Sequence, residues 1–139
     1  MNNNILKFIH NTPRNKIVFL DQPITNLRFL DVGKELSIKL HALTNDNRIA
    51  MKSIGIIDKL FSSSIEEDAI YGKYLALKNI GILFESELKT DFVQLLDKYS
   101  SSNILFVQWE GEKDSQYMYF LTKEKGRKIN IENLSHITI

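Results

Sequence analysis

Residues 22–26 form a join that is short for what it connects. Before it lies an apolar run, 16–21, that closes on Asp21; after it lies a second, 27–32, with Leu27, Phe29, Leu30 and Val32. Each has the length and the β-branched or aromatic content of a strand. A parallel crossover takes about a dozen residues or more, so strands joined by five are either antiparallel neighbours or not adjacent in their sheet.

The best candidate for a buried central strand is Tyr74, Leu75, Ala76 and Leu77, which follows the acidic residues 66–68 and stops at Lys78 and Asn79. Polar groups that surface after such a run stand at the carboxyl edge of the sheet, where open α/β sheets bind their ligands. Ile5, Phe8 and Ile9 fall at helical spacing, and Pro13 ends that helix. From Gly33 onward Leu36, Leu40 and Leu43 describe another. Residues 48–61 are a third, stopped by the serines at 62–64, and residues 87–99 are a fourth that Thr90 or Asp91 can cap.

Strand signals return at 103–109, and a turn-rich loop covers 111–115. A strand at 117–121, a tight turn over 123–128 and short strands at 129–131 and 137–139 complete the chain. Strands alternating with helices as far as residue 109 predict a mainly parallel α/β sheet with flanking helices, extended by an antiparallel β-rich C-terminal piece. One domain spanning 1–139 is the expected size.

With 18 basic and 17 acidic residues, the chain has no global field to draw it onto nucleic acid or an anionic membrane. The absence of cysteine excludes disulfides, thiolate metal sites and a thiol nucleophile, and points to the cytoplasm. No stretch approaches the roughly 18 apolar residues of a membrane span. His10, His41 and His136 are scattered and lack close carboxylate partners at ligand spacing.

Residues 31–40, Arg48, and residues 78–84, 88–96 and 106–111 resemble, in order and spacing, the BrxF family, the small P-loop protein of BREX phage-resistance systems. The resemblance covers residues 16 to 111 and implies a P-loop-like sheet. The departures from it are specific. After Asp21 there is no GxxxxGK[ST] element to cradle phosphate. Lys78 stands where the resemblance places the Walker B acid, and Gly81 where it places a second acid; an ammonium there repels Mg²⁺.

The resemblance therefore implies a degenerate member, a pseudo-ATPase without cofactor, metal or catalytic residues. Such a protein would serve as a noncatalytic scaffold or adaptor in antiphage defence, binding a partner such as the PglZ phosphatase-like protein or a second copy of itself. The lost phosphate loop and helix would leave apolar sheet bare around Pro23, Arg28, Lys78 and Asn79, the expected interface.

Two other functions compete. Asp21 and Asp31, both at strand ends, would pair on a metal in an ATPase or nuclease, against the blander role of strand-end caps. Lys123, Lys125, Arg127 and Lys128 would meet phosphates in a DNA-binding accessory module, weakly and without sequence preference, against a solvated hairpin turn. Trp109, Tyr117, Tyr119 and Phe120 offer either stacking surfaces or core, the alternation at 117–121 burying Met118 and Phe120 or the reverse.

Overall fold

The computed structural model describes residues 3–12, 14–43, 45–121 and 126–139. In chain order the elements are α1 (Asn3–Asn11), β1 (Lys16–Leu20), β2 (Leu30–Asp31), α2 (Val32–Leu40), α3 (Ile49–Ser63), β3 (Glu66–Asp68) and β4 (Gly72–Lys78). There follow α4 (Phe92–Ser101), β5 (Ile104–Gln108), β6 (Tyr117–Leu121), β7 (Gly126–Asn130) and β8 (His136–Thr138). The main sheet has the order β2-β4-β5-β1-β8, parallel throughout, with β3 added antiparallel to β4.

The order resolves the short join. β1 and β2 are not neighbours, because β4 and β5 lie between them. The connections from β2 to β4, from β4 to β5 and from β5 to β8 all step across the sheet in one direction. The connection from β1 to β2 steps back, and right-handed crossovers then require it to use the opposite face. Register explains how so few residues suffice. Leu30 pairs with Leu77, Leu77 with Val107 and Val107 with Phe19, so β2 begins level with the end of β1. The chain never returns to the amino edge. It crosses three strand spacings, about 14 Å, within the reach of residues 21–29 at roughly 3.3 Å each.

The expected strand over 27–32 is therefore reduced to Leu30–Asp31, and the rest of that run becomes sheet cover. Leu27 is buried, with Ile24 and Phe29 beside it, against Val18, Leu20, Ala76 and Phe106. The Tyr74 hydroxyl accepts the backbone N–H of Arg28 at 2.9 Å and pins the crossing to the sheet. α1 covers the remainder through Ile5, Phe8 and Ile9. The bare apolar sheet expected around Pro23 and Arg28 is absent: Val18 and Phe106 are fully buried on this face, and Leu20 nearly so.

The other face carries α2, α3 and α4 over Ile17, Phe19, Leu75, Leu77, Leu105 and Val107. α4 starts at Phe92 rather than 87, because Lys89 takes a left-handed φ of 50° that no helix passes through. Asp91 is the cap, its carboxylate accepting from Gln94 N at 3.0 Å. The acidic residues 66–68, whose polarity hid them as a strand, form β3 through a tight turn in which Asp68 accepts from Ile70 N and Tyr71 N.

The β-rich C-terminus does not extend the main sheet antiparallel. β6 and β7 make a separate two-stranded sheet that packs Met118 and Ile129 onto the helical face. β8 then joins β1 in parallel, on the side of β1 left open. Arg127 and Lys128 lie in β7 rather than in a turn, while Lys123 and Lys125 fall outside the described residues. Alternation fails in β6: Met118 and Tyr119 are both buried, because loop 111–115 folds back and pairs with the strand through Tyr119 N to Glu112 O and Asp114 N to Tyr117 O. Among the described residues no helix is long and apolar enough to cross a membrane.

Candidate functional site at the carboxyl edge of the sheet

β4 ends in a turn that is latched to the start of α2. Asn79 has a left-handed φ of 54°, a conformation asparagine tolerates better than most residues. Its carbonyl accepts Gly33 N at 2.9 Å, and its side-chain amide donates to Asp31 at 2.9 Å. Asp31 also caps α2 by accepting Lys34 N at 3.0 Å. These bonds, first the Lys34 amide and then Asn79, hold its carboxyl below the usual carboxylate range, with Lys78 adding a smaller attraction.

Asp31 is thus a cap and a clasp, the bland role for a strand-end acid. It is also distant from Asp21. Each aspartate ends its own strand with two strands between, a separation of about 14 Å that no single metal bridges. The carboxylate pair expected for metal chemistry is not assembled. Among the described residues no group of three or more His, Asp or Glu side chains is placed to hold a metal ion.

Gly33 makes the latch possible. A Cβ there would lie 2.4 Å from Asn79 Nδ2, 2.8 Å from its Cγ and 3.1 Å from its carbonyl oxygen. Gly33→Ala is expected to destabilise the chain by about 1–3 kcal/mol through overpacking, measured by urea unfolding. Adding Asn79→Gly should recover part of that loss, since it removes the obstructing side chain and suits the left-handed backbone.

Two clefts open at this edge and share Asp31 and Lys78. One, of about 530 Å³, is lined by Arg28, Lys34, Glu35 and Glu66. The other, of about 410 Å³, runs past Asn79 and Gly81 to Gln108 and Glu110. Arg28 and Lys78 therefore line one cleft. Asn79 borders the second, and Pro23 stands exposed on the crossing. The Arg28 guanidinium is 84% exposed and reaches Glu66 only at 3.6 Å, so that pair fixes little and the cation remains available.

Trp109 is held in place by its own loop and by Phe84. Its indole N–H donates to Glu112 O at 3.2 Å, its ring packs edge-on against Phe84, and Gly111 lies so close that a Cβ would come within 2.8 Å of the ring. The glycine two residues after the tryptophan is there because the indole occupies its side-chain space. Lys128 sits 4.5 Å over the Tyr117 ring and Arg127 reaches Thr90 O at 3.5 Å, so the basic residues of β7 are engaged with the hairpin and its neighbour.

A third cleft, of about 470 Å³, lies outside β1 and β8 and brings Lys113 and His136 together beside Phe19. Lys113, in a turn-rich loop, carries no signal in the sequence, and His136 stands there as a scattered histidine with no local partner.

These features define an α/β protein with a mainly parallel sheet, helices on both faces and a small antiparallel sheet, whose polar residues gather at the carboxyl edge. No family model, curated protein or solved structure matches the chain.

Proposed function

We propose that this protein is a noncatalytic scaffold or adaptor of bacterial antiphage defence, a BrxF-like P-loop derivative that works by binding a protein partner, such as a PglZ-like protein, or a second copy of itself. The observation that carries the reading is the exit of β1. Where a P-loop protein turns its chain around phosphate, residues 21–29 contain no glycine and run flat across the sheet, with Leu27 buried as cover. That path leaves no cradle of backbone N–H groups for a phosphate chain.

The strand order supports binding at the carboxyl edge. Counting the parallel strands in chain order, the sheet reads 2-3-4-1-5, with one strand between the first and the one ending at Lys78. The first strand lies inside the sheet with strands on both sides, the arrangement in which open α/β sheets have a switch point at their carboxyl edge. With the sheet face covered, the interface is polar rather than apolar. Arg28 and Lys78 present two cations on one cleft, suited to a partner surface bearing carboxylates.

The test combines calorimetry and capture. Titration with Mg²⁺-ATP should be flat. Purification from a host with the intact gene neighbourhood should retain a partner or a dimer, and reversing Arg28→Glu together with Lys78→Glu should weaken retention by about tenfold or more, the loss expected when close charge pairs are broken. Micromolar ATP binding would overturn the pseudo-ATPase reading. A strict monomer that captures nothing, or capture indifferent to both reversals, would overturn the scaffold and its interface.

A further inference from the structure

We propose that the cleft outside the carboxyl ends of β1 and β8 binds a small organic molecule through one compact oxyanion, a carboxylate or phosphate monoester, held between Lys113 and His136. The proposal does not rest on the scaffold reading. It begins from the loop after β5, which folds back so that Lys113 bridges to Met118 of the hairpin and its side chain is drawn inward. The ammonium rests 4.9 Å from the centre of the Phe19 ring and donates to the Asp114 carbonyl at 3.2 Å. Among the described residues no carboxylate lies within ion-pair distance of it. The Asp114 carboxylate is directed instead to Gln116 N, Tyr117 N and the Tyr119 hydroxyl.

His136 meets the same Phe19 ring edge-on, with centroids 5.5 Å apart. Its Nδ1 lies 2.7 Å from Leu134 O, and since a carbonyl only accepts, Nδ1 carries the proton. Nε2 is left as an acceptor in the neutral ring and a donor in the protonated one. Burial lowers the pKa of both side chains; Asp114 offsets part of this at Lys113, and at His136 the bond to Leu134 O offsets part while Lys113 lowers it further. A half-buried ammonium beside a histidine whose charge it disfavours gains from an anion placed between the two.

The remaining walls select the body of the ligand. Phe19, Trp109 and Ile137 are apolar and suit an aromatic or aliphatic group. Asp21, just beyond β1, lines the same cleft, so a polyphosphate is repelled more strongly than a single oxyanion. Binding here is compatible with a flat titration by ATP.

Nuclear magnetic resonance of the full chain tests it, following the His136 ring and the Lys113 side chain during titration with inorganic phosphate, phenyl phosphate and benzoate at constant ionic strength. Saturable shifts are expected, with the His136 titration midpoint rising by about half a unit or more. Phenyl phosphate or benzoate should bind more tightly than inorganic phosphate, and whichever is the tighter assigns the head group. Lys113→Met should weaken binding by about tenfold or more, Lys113→Arg should retain it, and Arg28→Glu should leave it unchanged. Linear, unsaturating shifts, or equal binding by the Lys113→Met chain, would overturn the proposal.

Discussion

Phe106→Ala is expected to cost about 3–5 kcal/mol of folding stability, the range for emptying a buried aromatic site. Phe106 is fully buried in the middle of β5, on the face covered chiefly by α1 and the crossing, and it meets Tyr71 and Tyr74 edge-on at 5.6 and 6.0 Å. Neither cover can settle easily into the void. α1 is nine residues long, and the crossing is held at both ends by strands whose level the sheet dictates. Urea unfolding should show a lower midpoint with an unchanged slope. Hydrogen exchange should quicken more at Leu27 and Arg28 than in α4, because Tyr74 loses the ring that backs its bond to Arg28 N. A loss below about 1 kcal/mol would show that the crossing is not the cover of this face.

The second large effect is expected at Asn15, the residue before β1. Its φ of 48° is left-handed, and its buried amide donates to Asp97 Oδ1 at 2.8 Å and to Ser100 Oγ at 3.0 Å. Asn15→Ala loses both bonds and forces alanine into a conformation that costs about 1–2 kcal/mol, for a total of about 2–4 kcal/mol once the stranded polar groups are included. Asn15→Gly should recover the backbone part and leave the hydrogen-bond part, so the two variants separate the causes.

The same substitution has a consequence in pH. Asp97 is held below the usual carboxylate range, first by Asn15 and then by Arg14. A lowered folded-state pKa stabilises the fold above the ordinary aspartate value and is lost as pH falls through the folded one. In Asn15→Ala the Asp97 midpoint, read from its carboxyl resonance, should move up and its acid-dependent stability should shrink. An unchanged midpoint would mean that Arg14 alone sets it.

Much of the architecture was legible because it depends on local rules. Leu36 and Leu40 at helical spacing, the run from Tyr74 to Leu77 stopping at Lys78, and the apolar face from Phe92 to Tyr99 are patterns that near neighbours in the chain impose. Residues 66–68 were missed because an edge strand needs little apolar surface, and 27–32 was overread because residues that cover a sheet look like residues within one. At the candidate site, Lys78, Asn79 and Arg28 were visible as polar groups ending or flanking apolar runs, and the structure places Arg28 and Lys78 on one cleft.

By itself the sequence determined most of the helices and the buried strands β1, β4 and β5, that β1 and β2 are not parallel neighbours, and that no glycine-rich phosphate loop follows β1. Only the tertiary structure decided that the crossing takes the second face, that β8 lies beside β1, and that Asp21 and Asp31 stand apart while Lys113 and His136 meet. Those outcomes depend on which strands pair across long separations. Pairing is settled by crossover handedness and by the burial of both sheet faces together, neither of which any short stretch of residues encodes.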